Sequence, residues 1–185
     1  EKKKFIGNEM YGKTIGIIGF GNIGKKVSQI AHAYGMNVLV YSASISPEDE
    51  KKFNVTNQSI DNILEGADII TFHNKLSENS RYIINSNAIT KMKKNAIIIN
   101  CARGGLVNEK DIKDALEKGN IGGYGCDVYE NEPEQDSIFS SMDNVVMTPH
   151  IGASTIEAQE KVAYQIAEQI VEFLKNNKII NQVNK

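Results

Sequence analysis

Four short blocks carry the groups best suited to chemistry: Gly19-x-Gly21-x-x-Gly24, Asn100-Cys-Ala-Arg-Gly-Gly105, Asp127-Val-Tyr-Glu-Asn-Glu-Pro133 and Pro149-His-Ile-Gly-Ala-Ser154. The glycine block follows an apolar run and opens a helical pattern, the setting of a dinucleotide pyrophosphate. Gly19 permits the tight turn, Gly21 lets a phosphate approach the backbone, and Gly24 lets the helix pack close to the strand. The free N–H groups and positive end of that helix would face the phosphates. Arg103 stands between a strand-like run and Gly104-Gly105, and its planar fork suits a carboxylate or phosphate, so it is read as a substrate clamp. His150 lies between the constraint of Pro149 and the freedom of Gly152, and histidine is the side chain best suited to exchange a proton near neutral pH. Glu132 belongs to an acidic run from Glu130 to Glu134, and spacing alone does not single it out. His32 is read as structural, and Cys101 as a buried thiol, not a nucleophile.

A ribose-binding acid is expected about 20 residues beyond the glycines, at the end of the second strand. That place holds Tyr41-Ser42-Ala43-Ser44, and the nearest acids, Glu48 and Asp49, lie beyond Pro47. Ser42 can hydrogen-bond a ribose hydroxyl or tolerate a 2′-phosphate. No arginine is near, which argues against a dedicated NADP site, so the expected cofactor is NAD with NADP left open.

These blocks need elements to position them. Apolar runs at 14–18, 37–41, 68–72, 96–100, 123–128 and 145–148 are expected as strands. Helical patterns cover 22–34, 60–65, 86–92, a segment capped by Asn108 and running to 118, and a long segment to about 176 opened by the capping box Ser154-x-x-Glu157. Residues 42–56 are polar and read as irregular. Strands alternating with helices predict an α/β fold with a doubly wound parallel sheet, which binds ligands at the carboxyl ends of its strands. The four blocks fall at those ends.

The bulk properties exclude several classes. A formal net charge of −2 gives no electrostatic reason to expect nucleic acid or an anionic membrane as partner. No apolar run approaches the roughly 20 residues of a membrane helix. The start, Glu1-Lys-Lys-Lys-Phe5, has no apolar core of a secretory signal, and the expected location is cytoplasmic. Cys101 and Cys126 both lie in apolar, strand-like segments and are expected as buried thiols in a reducing compartment. No Cys and His spacing suggests a metal site. The chain begins at Glu1 without a methionine and is read as a piece of a longer protein.

The blocks, in this order, resemble the nucleotide-binding domain of the D-isomer-specific 2-hydroxyacid dehydrogenases, from Phe5 to about Val183. The resemblance implies a Rossmann-type NAD-binding domain over residues 1–178. Residues 179–185 would then be a return segment toward a separate substrate domain missing from this chain. It implies that Arg103 binds the substrate carboxylate and carbonyl and that His150 is the acid/base. Glu132 would pair with His150, hold the ring's orientation and raise its pKa, and Asp127 would contact the nicotinamide carboxamide. Further cofactor contacts are implied at Gly19, Gly21, Asn22, Ile23, Gly24, Ser42, Cys101, Ala102, Gly152 and Ala153, with Asn74 along the nicotinamide side. The implied activity is reversible hydride transfer between nicotinamide and a D-2-hydroxy acid, foremost 3-phosphoglycerate to 3-phosphohydroxypyruvate in serine biosynthesis. A glyoxylate/hydroxypyruvate reductase is the alternative, and a nucleotide-sensing, corepressor-like interaction protein is the reading from another class. Homodimerisation is implied as well. Three positions depart from the family pattern: Ser42 replaces the usual aspartate, Asn22 stands where many members have arginine, and Asn74-Lys75 stands where a proline is usual.

Overall fold

A computed structural model of the chain describes residues 7–134 and 136–182. Residues 1–6, the start of the chain, and 183–185, the end of the expected return segment, lie outside the described residues.

The element order is β1 (Thr14–Ile18), α1 (Asn22–Ala33), β2 (Asn37–Tyr41), α2 (Pro47–Phe53), β3 (Thr56–Asn57), α3 (Ile60–Gly66), β4 (Ile69–Phe72), α4 (Ser86–Lys91), β5 (Ile97–Asn100), α5 (Glu109–Glu117), β6 (Gly123–Cys126), β7 (Val145–Met147) and α6 (Ile156–Asn176). The strands form a seven-stranded sheet in the order β3-β2-β1-β4-β5-β6-β7, each neighbouring pair parallel. This is the expected doubly wound α/β sheet. Its central strands read as unbroken apolar runs because they are buried on both faces. Side chains alternate across a strand. Ile15 and Ile17 of β1 therefore enter a core with Ala31, Val38, Val40 and Val55, while Ile18 enters the other, larger core with Ile63, Ile70, Phe72 and Ile98.

Two expectations need correction. Residues 42–56 are not irregular: they form α2 and the short strand β3. Local capping explains α2. Ser46 Oγ accepts from the Asp49 N–H, Pro47 opens the helix, Glu48–Glu50 occupy the first turn and Lys51 and Lys52 the last. The segment shows little apolar periodicity, and Phe53 anchors it by meeting Phe20 edge-on at 5.6 Å. The second correction is the cap of α6. It is Thr155, whose Oγ1 accepts from the Ala158 N–H, and not Ser154.

The chain divides into two units, Glu1–Pro149 and His150–Lys185. The first holds the sheet and helices α1 to α5. The second holds a short turn and α6, which carries Val162, Ile166, Ile170 and Leu174 at helical spacing. No helix among the described residues is long and apolar enough to cross a membrane.

Candidate active site

Register brings the chemistry together. Tyr41, Ile18, Phe72, Asn100, Cys126 and Met147 are successive partners across the sheet, so the last residues of six strands lie in one row. The next residue of each strand then emerges on a common edge: Ser42, Gly19, His73, Cys101, Asp127 and Thr148. Backbone bonds extend the ladder one step further and fix this edge. Gly19 N–H donates to Tyr41 O (2.8 Å), His73 N–H to Ile18 O (2.7 Å), Asp127 N–H to Asn100 O (3.0 Å) and Thr148 N–H to Cys126 O (2.9 Å).

The glycine turn has the features its spacing predicts. Gly19 has φ +99°, and a Cβ there would lie 2.5 Å from the nitrogen of Asn74 and the carbonyl carbon of His73. A Cβ on Gly24 would collide with the Gly19 carbonyl, whereas one on Gly21 would meet open space. Helix α1 starts without a side-chain cap and without an acid in its first turn, so its N-terminal N–H groups face outward with their positive field uncancelled. Asn22 and Ile23 are the first two residues of that helix, and both are exposed.

A cleft of about 550 Å³ opens beside this turn and is lined by Gly19, Gly21, Ser42, His73 and Asn74, among others. Asn74 therefore shares a cleft with Ser42 at the end of β2. The strand order, in which β4 flanks β1 directly, brings the two into one cleft. Asn74 Nδ2 donates to Lys75 O at 3.1 Å, while its Oδ1 is buried with no hydrogen-bond partner. A ligand hydroxyl would satisfy that acceptor. An open glycine turn, an uncapped helix start and an orphaned acceptor in one cleft fit a dinucleotide. His73 is half-buried, its Nε2 lies 3.1 Å from Thr71 Oγ1, and desolvation holds its pKa down at about 4.

The far half of the edge carries Arg103 and Asp127. Asn100 is fully buried and clamps the loop that presents Arg103: its Oδ1 accepts from the Ala102 N–H (3.1 Å) and its Nδ2 donates to the Arg103 carbonyl (2.8 Å). Gly104 lies so close to the Tyr129 carbonyl that any Cβ would collide with it. Arg103 is exposed, with Nη1 donating to Ala102 O at 2.6 Å. Cys101, expected as a buried thiol, is exposed, because it is the first residue past the strand end; Cys126 is buried. Desolvation and the nearby Asp127 carboxylate raise the Cys101 pKa. Asp127 is buried and its Oδ1 accepts from Thr148 Oγ1 at 2.5 Å. Tyr129 donates its hydroxyl to Thr148 O (2.8 Å) and its N–H to Glu132 Oε1 (3.0 Å). Asn100, Thr148 and Tyr129 were not singled out from the sequence. A polar residue ending the Ile97–Ile99 run was the available signal for Asn100.

His150 opens the second unit with φ +55°, a left-handed conformation that few side chains adopt. In that unit the Ser154 N–H donates to Ile151 O (2.9 Å), and Gln159 Nε2 donates to the Ala153 carbonyl (3.0 Å), tying the turn that contains Gly152 to the start of α6.

Residues 1–152 match the family model described as D-isomer specific 2-hydroxyacid dehydrogenase, NAD binding domain. The D-3-phosphoglycerate dehydrogenase of Bacillus subtilis (strain 168) is 41% identical over 180 residues, covering 97% of this chain and 34% of the relative. Among solved structures, a glyoxylate reductase from Paecilomyes thermophila superposes with a TM-score of 0.90 at 33% identity, over 97% of this chain and 54% of that one. The D-lactate dehydrogenase of Lactobacillus jensenii, solved with NAD+, superposes with a TM-score of 0.87 at 32% identity, over 98% and 58%. The chain thus spans about a third to somewhat over half the length of these relatives.

Proposed function

Because the chain belongs to the D-isomer specific 2-hydroxyacid dehydrogenase family, as its NAD binding domain, we propose that it carries the cofactor and acid/base half of an enzyme that oxidises D-3-phosphoglycerate to 3-phosphohydroxypyruvate. The observation that carries this reading is the shared strand-end edge, which presents the glycine turn, Asp127 and the Arg103 loop together.

In this reading the glycine turn would hold the dinucleotide, which would supply the hydride acceptor. Gly19, Gly21, Gly24, Asn22 and Ile23 would take the pyrophosphate, Ser42 would meet the adenosine ribose, and Asn74 would lie along the nicotinamide side. Cys101, Ala102, Gly152 and Ala153 would make further cofactor contacts. Asp127, oriented by Thr148, accepts from the carboxamide. Arg103 binds the substrate carboxylate and polarises the oxygen on which charge develops during reduction. His150 takes the hydroxyl proton as the C2–H bond breaks, and returns it in the reverse direction. Glu132 pairs with His150 and stabilises the imidazolium. Residues 1–178 act as the dinucleotide domain and 179–185 lead back to a substrate domain elsewhere in the parent protein, which works as a cytoplasmic homodimer.

The test is turnover of the parent protein with NAD and D-3-phosphoglycerate, followed by the absorbance of reduced nicotinamide. His150→Ala is expected to lower the rate by about 10²–10⁴-fold while leaving dinucleotide binding in place. A near-normal rate in that variant overturns the acid/base assignment. The likeness to a glyoxylate reductase favours a second reading, in which glyoxylate or hydroxypyruvate is reduced; activity on these but not on phosphoglycerate selects it. Retained cofactor binding without turnover on any of them points instead to a nucleotide-sensing interaction protein.

A further inference from the structure

The end of β2 is where a dinucleotide site chooses between a free and a phosphorylated ribose. A carboxylate there accepts from both ribose hydroxyls and repels a 2′-phosphate, whereas its absence beside a cation permits one. Ser42 occupies the place, and its backbone is held from both sides by one residue of β3: Ser42 N–H donates to Asn57 Oδ1 (3.0 Å), and Asn57 Nδ2 donates to Ser42 O (3.2 Å). The Ser42 hydroxyl oxygen accepts from the Ser44 N–H at 3.4 Å. A hydroxyl used in this way still has its own proton to donate.

The acids that the sequence places nearby are engaged elsewhere. Asp49 is paired with Lys25 Nζ at 2.8 Å, and Glu50 Oε1 accepts the Asn57 N–H at 2.6 Å. Glu48 sits in the first turn of α2 and does not line the cleft. Among the described residues that do line it, no carboxylate is present, and the one cationic side chain is that of Lys75, which is exposed. The neighbouring His73 is neutral at physiological pH. The cleft is therefore lined by hydroxyls with one net positive charge.

We infer that this end accepts a 2′-phosphorylated dinucleotide as well as the unphosphorylated one, with the Ser42 and Ser44 hydroxyls and the Lys75 ammonium as the groups that meet the 2′-phosphate. The inference rests on dinucleotide binding at the glycine turn as proposed above. Sequence alone leaned the other way because no arginine is near. Lys75 is a cation too distant in the chain to be counted, and the β1–β4 pairing brings it into the cleft.

Calorimetric titration of the protein with NADH and with NADPH tests it, and 2′-phospho-ADP-ribose against ADP-ribose isolates the ribose end. The two dissociation constants are expected within about tenfold of each other. Ser42→Asp is expected to weaken NADPH at least tenfold relative to NADH, a shift of about 1.4 kcal/mol, and Lys75→Ala to move the ratio in the same direction. Wild-type NADPH binding about a hundredfold weaker than NADH, or a Ser42→Asp variant that is folded by circular dichroism and leaves the ratio unmoved, overturns the inference while leaving the cofactor reading intact. Failure of both dinucleotides to bind overturns the two together.

Discussion

At the scale of single residues, the site depends on polar side chains held where water cannot reach them. Asn100 ends an isoleucine run yet is fully buried, because its amide supplies both a donor and an acceptor to the loop that follows. His73 is the residue whose burial has a measurable consequence. Its pKa is about 4 in the folded chain against 6.5 in an exposed one. Above pH 6.5 the ring is neutral in both states and its contribution is complete. As pH falls from 6.5 toward 4, the unfolded chain takes up a proton that the folded chain refuses, and stability is lost. Between pH 6.5 and 5 the loss is expected to be at most about 2 kcal/mol. Denaturant unfolding of the wild type and of His73→Gln at both pH values measures it; equal pH dependence in the two proteins removes His73 as the cause. Arg103, His150 and the glycines were legible only as candidates, because their types are unusual in their local setting. Asn100 and Thr148 were not, since their importance lies in partners that only the fold supplies.

At the scale of elements, start and stop signals explain most of the secondary structure and also where the reading failed. Helix α5 begins as its sequence predicts, with Asn108 Oδ1 accepting from the N–H groups of Lys110 and Asp111. Helix α2 lacks the apolar periodicity of the other helices and is specified by its ends: a serine cap, a proline, three acids and then two lysines. Helix α6 starts one residue later than its capping box predicts. Ser154 and Thr155 both suit an N-cap, and Ser154 instead closes a turn by donating its N–H to Ile151 O. Thr155→Ala is therefore expected to destabilise α6 by about 1 kcal/mol, with Ser154→Ala near neutral. Amide hydrogen exchange along the first turn of α6 reads the difference, and the reverse order would restore Ser154 as the cap.

At the scale of the whole molecule, the parallel order β3-β2-β1-β4-β5-β6-β7 sets which segments become neighbours. The glycine turn is flanked on one side by Ser42 and on the other by His73, and these three come from separate strands. A ligand held by all three binds the folded chain and not the unfolded one. Saturation with NADH at a hundred times its dissociation constant is thus expected to add about 2.7 kcal/mol to stability, read as a rise in the denaturation midpoint. An unmoved midpoint at concentrations where calorimetry shows binding would place the ligand away from this edge.

The alternation of apolar runs and helical patterns, the glycine turn and the position of each unusual block after a strand are all written in near neighbours along the chain. These determined the α/β class, the parallel sheet and the edge that carries the site. The partners across that edge were decided by tertiary structure alone: Asn57 holding Ser42, Thr148 on Asp127, Lys75 in the same cleft as Ser42, and Cys101 out in the open instead of buried. The physical reason is range. Periodicity and capping act over a few residues, whereas strand order and register join residues as far apart as Gly19 and Thr148, and only the packed sheet specifies those distances.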